Sequence, residues 1–168
     1  MNMNVILEIV MIGIGATIIM DLWAIIQKFL FNIPSLNYMY VGRWLGHFLK
    51  GEFFHDTILI AKPIKGETVI GWLTHYTIGI IFSFILIAIV GSDWLVKPTF
   101  LPAMMIGIIS VIAPFFIMQP GFGFGLAGSK TPQPKVTRRR SLVAHLSYGI
   151  GLYFSAQLLL IINNSLSS

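Results

Sequence analysis

Asp21, His75 and His145 each fall inside a hydrophobic run long enough to cross a bilayer. Charge-prone side chains at such positions cost roughly 2.5 to 3.5 kcal/mol on insertion scales, so each is expected to be paired, hydrogen-bonded or functional. One carboxylate with two imidazoles is an acceptable donor set for a divalent metal. Haem iron would use the same imidazoles, and a proton relay the same titratable groups. Gln119 closes the third run just before Pro120 and brings a polar group from the remaining helix.

The elements that must position these residues follow from composition. Of 168 residues, 56% are hydrophobic and only 10% charged, with a mean hydropathy of +0.84. A water-soluble domain of this size needs far less apolar surface. Four apolar runs cover about 5–30, 67–90, 99–118 and 141–162, and a run of about 20 residues spans the hydrocarbon core. The expectation is an all-α integral membrane protein, a four-helix bundle forming a single domain over 1–168, with connections at 31–66 and 119–140. The first run has no basic residue before it and carries Glu8 and Asp21, which is unlike a cleavable signal.

Charge is sorted by loop. The first long connection region holds Lys28, Arg43, Lys50, Lys62 and Lys65, the last holds Lys130, Lys135 and Arg138 to Arg140, and the middle loop has Lys97 alone. The bias places both long connections in the cytoplasm and both termini on the far side of the membrane, as a multi-pass protein. The net charge of +5 then reports topology and attraction to anionic lipid headgroups at the cytoplasmic face, not nucleic acid. On this orientation Asp21, His75 and His145 lie roughly 13, 12 and 6 Å from the cytoplasmic ends of their helices, all in one leaflet. Cysteine is absent, which leaves His, Asp, Glu and backbone as ligands.

Small residues recur on the same faces. Gly13, Thr17 and Asp21 form one stripe, Gly71, His75, Gly79 and Ser83 a second, Ala103, Gly107 and Ser110 a third, and Ser141, His145 and Gly149 a fourth. Such stripes bring membrane helices together and should face the bundle interior. Short similarities, Met11 to Ile14 with Met105 to Ile108 and His75 to Ile80 with His145 to Ile150, are compatible with two helical hairpins related by a pseudo-twofold axis.

The segment 37–51 reads as an interfacial amphipathic helix, with Arg43, His47 and Lys50 on one face and Val41, Trp44, Leu45 and Phe48 on the other. Arg43 is within reach of a lipid phosphate on this reading, and His47 stands at the mouth of the Asp/His site. His47, Glu52, His55 and Asp56 either extend that site to the surface or are ordinary headgroup-level residues, the second being favoured. Gly123, Gly125 and Gly128 match GxGxxG, but no strand precedes them and Pro132 and Pro134 follow, so a dinucleotide fingerprint is excluded. A flexible turn that cradles an anion or a headgroup with Lys130 and Arg138 to Arg140 is one reading, and a close-packed re-entrant or hinge turn is the better one.

With these residues laid out, the chain resembles a family of uncharacterised bacterial multi-helix inner-membrane proteins, a domain-of-unknown-function family. The resemblance rests on Met20 to Trp23, Val41 to Trp44 with Gly46 and His47, Gly51 to His55, Gly71 to Tyr76, Ala113 with Pro114, Met118 to Pro120, Ser129 to Pro132, and His145 with Gly149 to Tyr153. It implies a multi-pass protein of the bacterial inner (cytoplasmic) membrane, whose termini the loop charges then put in the periplasm, and carries no assigned activity.

Three functions remain. The first is a carrier or binding protein for a cation, proton or small solute, with Asp21, His75, His145, Gln119, His47 and Arg43 as binding residues and Asp21, His75 and His145 as metal ligands. Only four helices line any pathway, so a homodimer is compatible with this reading. The second is a membrane-embedded haem or metal enzyme acting on a lipid or redox substrate. The third is a non-catalytic accessory subunit. No triad, HExxH or kinase signature supplies catalytic residues.

Overall fold

The computed structural model describes residues 3–166. These residues form helices and no strand: α1 (Met3–Phe31), α2 (Met39–His47), α3 (Glu67–Val90), α4 (Asp93–Val96), α5 (Phe100–Ser110), a π-helical stretch Ala113–Met118, α6 (Gln119–Gly121) and α7 (Pro134–Leu166). α1, α3, the run Phe100–Gly121 and α7 are long and apolar enough to cross a membrane. Protein covers only 22% to 33% of the most apolar window of each. Their remaining apolar surface suits a lipid environment, so the four helices fit a membrane protein.

Two boundaries differ from the sequence reading. The last helix begins at Pro134 instead of near 141, because proline at the start of a helix loses no bond and already has helical φ. Arg138 to Arg140 therefore stand on its first turns, not in a loop. The third span widens to π geometry at Ala113–Met118, with Pro114 near its start. Proline has no N–H for its turn and its ring crowds the preceding carbonyl, and the wider helix absorbs both.

The chain divides into two compact units. The first contains the chain to Pro34, Tyr76–Ser110 and the chain from Ala144. Its core joins Ile9, Ile12, Leu86, Ile106 and Leu152. Small residues set the helix spacing, as their stripes suggested. A β-carbon on Gly79 would overlap the Thr17 hydroxyl, and one on Gly107 would lie 2.8 Å from Gly149 Cα. Neither helix pair has room for a larger side chain at these crossings.

The second unit contains Ser35–His75 and Val111–Val143. Val41, Ile58 and Phe122 form its core, and two backbone bonds, His55 N–H to Gly121 O at 3.0 Å and Ile58 N–H to Phe122 O at 2.9 Å, tie its two segments together. α2 runs into a short 3-10 turn that ends at Gly51 with φ of 75°. The glycine-rich turn is close-packed. Gly123 has φ of 84°, and a β-carbon there would strike the carbonyls of His55 and Asp56. Only glycine meets both demands.

Candidate metal centre

The second unit is organised around one buried arginine. Arg43, on α2, donates from Nε to Glu67 Oε2 at 3.0 Å and from Nη2 to Glu67 Oε1 at 2.8 Å. Its Nη1 donates to the carbonyls of Ile58 and Ala61, each at 3.2 Å. The bond to Glu67 raises the guanidinium pKa above its ordinary value, against the opposing effect of burial. Arg43 is 5% exposed, so its fork is committed to Glu67 and to loop carbonyls within the unit. α2 can approach the start of α3 this closely because Gly42 faces the Glu67 carbonyl with no β-carbon between them.

The loop that Arg43 holds presents the next carbonyl to a histidine. His47 sits one helical turn after Arg43 and is 2% exposed. Its Nε2 lies 2.9 Å from Lys62 O, and its Nδ1 lies 2.6 Å from His55 Nε2. The other nitrogen of His55, Nδ1, is 3.2 Å from Gly121 O. Glu52 Oε2 stands 3.5 Å from His47 Nδ1. The three side chains can each aim one ligand atom at a common point, all within 4.8 Å of one another.

The hydrogen count decides what this arrangement wants. Lys62 O and Gly121 O only accept, so His47 Nε2 and His55 Nδ1 should both carry hydrogen. That leaves two ring lone pairs, on His47 Nδ1 and His55 Nε2, facing each other beside a carboxylate. Two lone pairs repel at this distance. A cation between them removes the repulsion, whether an additional proton or a metal ion. The outer contacts are also those of metal-bound histidines, whose second nitrogen donates to a carbonyl or carboxylate that fixes the ring.

A family model described as Protein of unknown function (DUF2938) matches residues 10–159. The chain belongs to the DUF2938 family. No curated protein and no solved structure matches it. The match to DUF2938 takes in α2, the connection after it and the start of α3, so His47, Glu52, His55 and Arg43 all lie in the family domain.

In this DUF2938 protein the residues singled out from sequence have distinct surroundings. Asp21 and His145 lie in the first unit and His75 in the second. The Tyr76 hydroxyl donates to Asp21 Oδ2 at 3.1 Å. His145 Nδ1 is 2.7 Å from Ser110 Oγ. The His75 ring stacks on Tyr38, with centroids 4.0 Å apart. Gln119 donates from Nε2 to Ser141 Oγ at 3.2 Å, and its buried Oε1 accepts nothing among the described residues.

His47, Glu52 and His55, all three favoured from the sequence as headgroup-level residues, are drawn into one metal-capable group. The amphipathic pattern of α2 was right, but its polar face is covered as well as its apolar one: Arg43 and His47 are buried, as Val41 is. The spacing of His47, Glu52 and His55 was visible. The carbonyls that orient the rings were not, because one comes from Gly121, 66 residues from His55.

Proposed function

We propose that this protein binds a divalent transition-metal ion through His47 Nδ1, His55 Nε2 and a Glu52 carboxylate oxygen, as a membrane binding or carrier protein. The observation that carries the reading is the 2.6 Å approach of His47 Nδ1 to His55 Nε2, on two rings whose far nitrogens each meet a backbone carbonyl. Two imidazoles and one carboxylate suit zinc, iron, cobalt or manganese and leave coordination positions open. Bonds of about 2.0 to 2.1 Å at tetrahedral angles separate ligand nitrogens by roughly 3.3 Å, so loading widens the histidine pair by less than about 1 Å. Rotation of Glu52, whose side chain is 56% exposed, completes the set. This position has better support as a metal site than Asp21, His75 and His145. The loop charges support a position at the cytoplasmic face with both termini on the opposite side, which is the periplasm if the membrane is the bacterial inner membrane that the family resemblance implies.

The test is cobalt titration of the full chain in detergent after chelator treatment. A single Co2+ per chain with visible absorption is expected for the parent and for Asp56→Asn, and both His47→Ala and His55→Ala should lose it while remaining folded. Stoichiometric cobalt in both histidine variants would overturn the reading.

A further inference from the structure

His55 has a second exposure. It lines an open cleft of about 470 Å³ whose walls also include Phe54, Leu126, Ser129 and Lys130. The cleft is amphiphilic in a definite way. Phe54 and Leu126 are 77% and 60% exposed, while Ser129 and Lys130 bring a hydroxyl and an ammonium group to the same opening. No carboxylate lies within ion-pair distance of Lys130 among the described residues. The sequence also contains no Asp or Glu after Asp93, whereas Lys135 and Arg138 to Arg140 follow Lys130 closely. Lys130 is therefore a positive charge without a paired carboxylate beside exposed apolar side chains, with Glu52 and Asp56 flanking Phe54 and His55 on the other wall, in a protein whose helices fit a bilayer.

We propose that this cleft is a binding site for the phosphate headgroup of an anionic lipid. Lys130 and Ser129 hold the phosphate, the ammonium supplying charge and the hydroxyl a directional donor. Phe54 and Leu126 lie along the apolar part nearest the headgroup. Charge complementarity selects an anion, and the apolar rim selects an amphiphile over a free ion. Because His55 belongs to both the cleft and the histidine pair, a lipid phosphate in the cleft would lie beside the proposed metal. That adjacency rests on the metal reading, whereas the Lys130 and Ser129 contacts do not.

The experiment uses the full chain in neutral detergent with dihexanoyl phosphatidic acid as probe, followed by titration calorimetry. Saturable binding is expected, with inorganic phosphate at least about tenfold weaker, and Lys130→Gln should weaken the lipid about tenfold, the scale of one charge-assisted bond. Lys135→Gln, in the same basic stretch, should match the parent. Equal weakening by Lys135→Gln would mean a diffuse basic surface and overturn the site. So would unchanged binding in Lys130→Gln, equal affinity for inorganic phosphate, or non-saturable uptake. His47→Ala separates the two readings: lipid binding that persists without cobalt leaves the cleft standing, and retained cobalt in the parent with no Lys130 effect sinks the cleft alone.

Discussion

The two units use polar side chains in opposite ways. In the first, hydroxyls mostly bond backbone carbonyls: Thr17 to Gly13 O at 2.8 Å, Ser83 to Ile9 O at 2.9 Å, Ser110 to Gly107 O at 2.7 Å, and Tyr148 to Gly79 O. These bonds satisfy small polar groups at tight crossings and involve no charge; ionisable exceptions in this unit are Asp21, which accepts from Tyr76, and His145, which meets Ser110. In the second, ionic and imidazole groups converge from distant positions on shared partners, as Arg43 does on Glu67 and three loop carbonyls, and as His47 and His55 do on each other. The difference separates packing from chemistry. A hydroxyl bonded to a carbonyl is complete, whereas two carbonyl-backed imidazoles facing each other have nitrogens to spare for a ligand.

The comparison is tested most severely by Glu67→Ala. It leaves the Arg43 charge buried without its carboxylate, a change worth about 3 to 5 kcal/mol, and thermal unfolding in detergent should show a correspondingly large drop. It also loosens the carbonyl-bearing loop that orients His47, so cobalt affinity in the fraction that folds should fall about 10- to 100-fold, as loss of an outer-shell partner does. A variant that melts like the parent would show that the second unit is not organised by this pair.

Gly79→Leu probes the other side. The new side chain must enter the space of the Thr17 hydroxyl, and overpacking of this kind costs about 1 to 3 kcal/mol. Melting temperature should fall while cobalt stoichiometry stays at the parent value. Loss of cobalt from a folded Gly79→Leu protein would join packing and chemistry, and the division between the units would fail as a functional one.

The sequence disclosed these two regions unequally. Spans were legible because hydropathy and length are local properties, and the crossings were legible because Gly13, Gly79, Gly107 and Gly149 lie on helical stripes. The start of α7 was missed because Lys135 and Arg138 to Arg140 lower the hydropathy of turns that are nonetheless helical. Burial of the α2 polar face was missed for a different reason. Periodicity tells that two faces differ, and it does not tell that both are covered. What covers Arg43 and His47 is a loop folded back by backbone bonds, and its sequence signature is only the glycines that permit close approach, Gly42 and Gly123.

The smallest effect should come from Ser83→Ala. Ser83 Oγ lies 2.9 Å from Ile9 O and 2.7 Å from Ile80 O, but a hydroxyl has one hydrogen and can serve only one of these carbonyls well at a time. Ile9 O and Ile80 O belong to helical backbone, so neither is left stranded when the hydroxyl goes. Intramembrane bonds of this kind average about 0.6 kcal/mol, and the variant should lose about that much or less, with cobalt and lipid binding unchanged. The site is 1% exposed, which makes it a stringent control: a large loss would mean that the hydroxyls of the first unit form a coupled network, comparable to the one around Arg43. A small loss, set beside the several kcal/mol expected for Glu67→Ala, would show that burial alone does not make a polar residue costly to remove, and that convergence on a shared charge does.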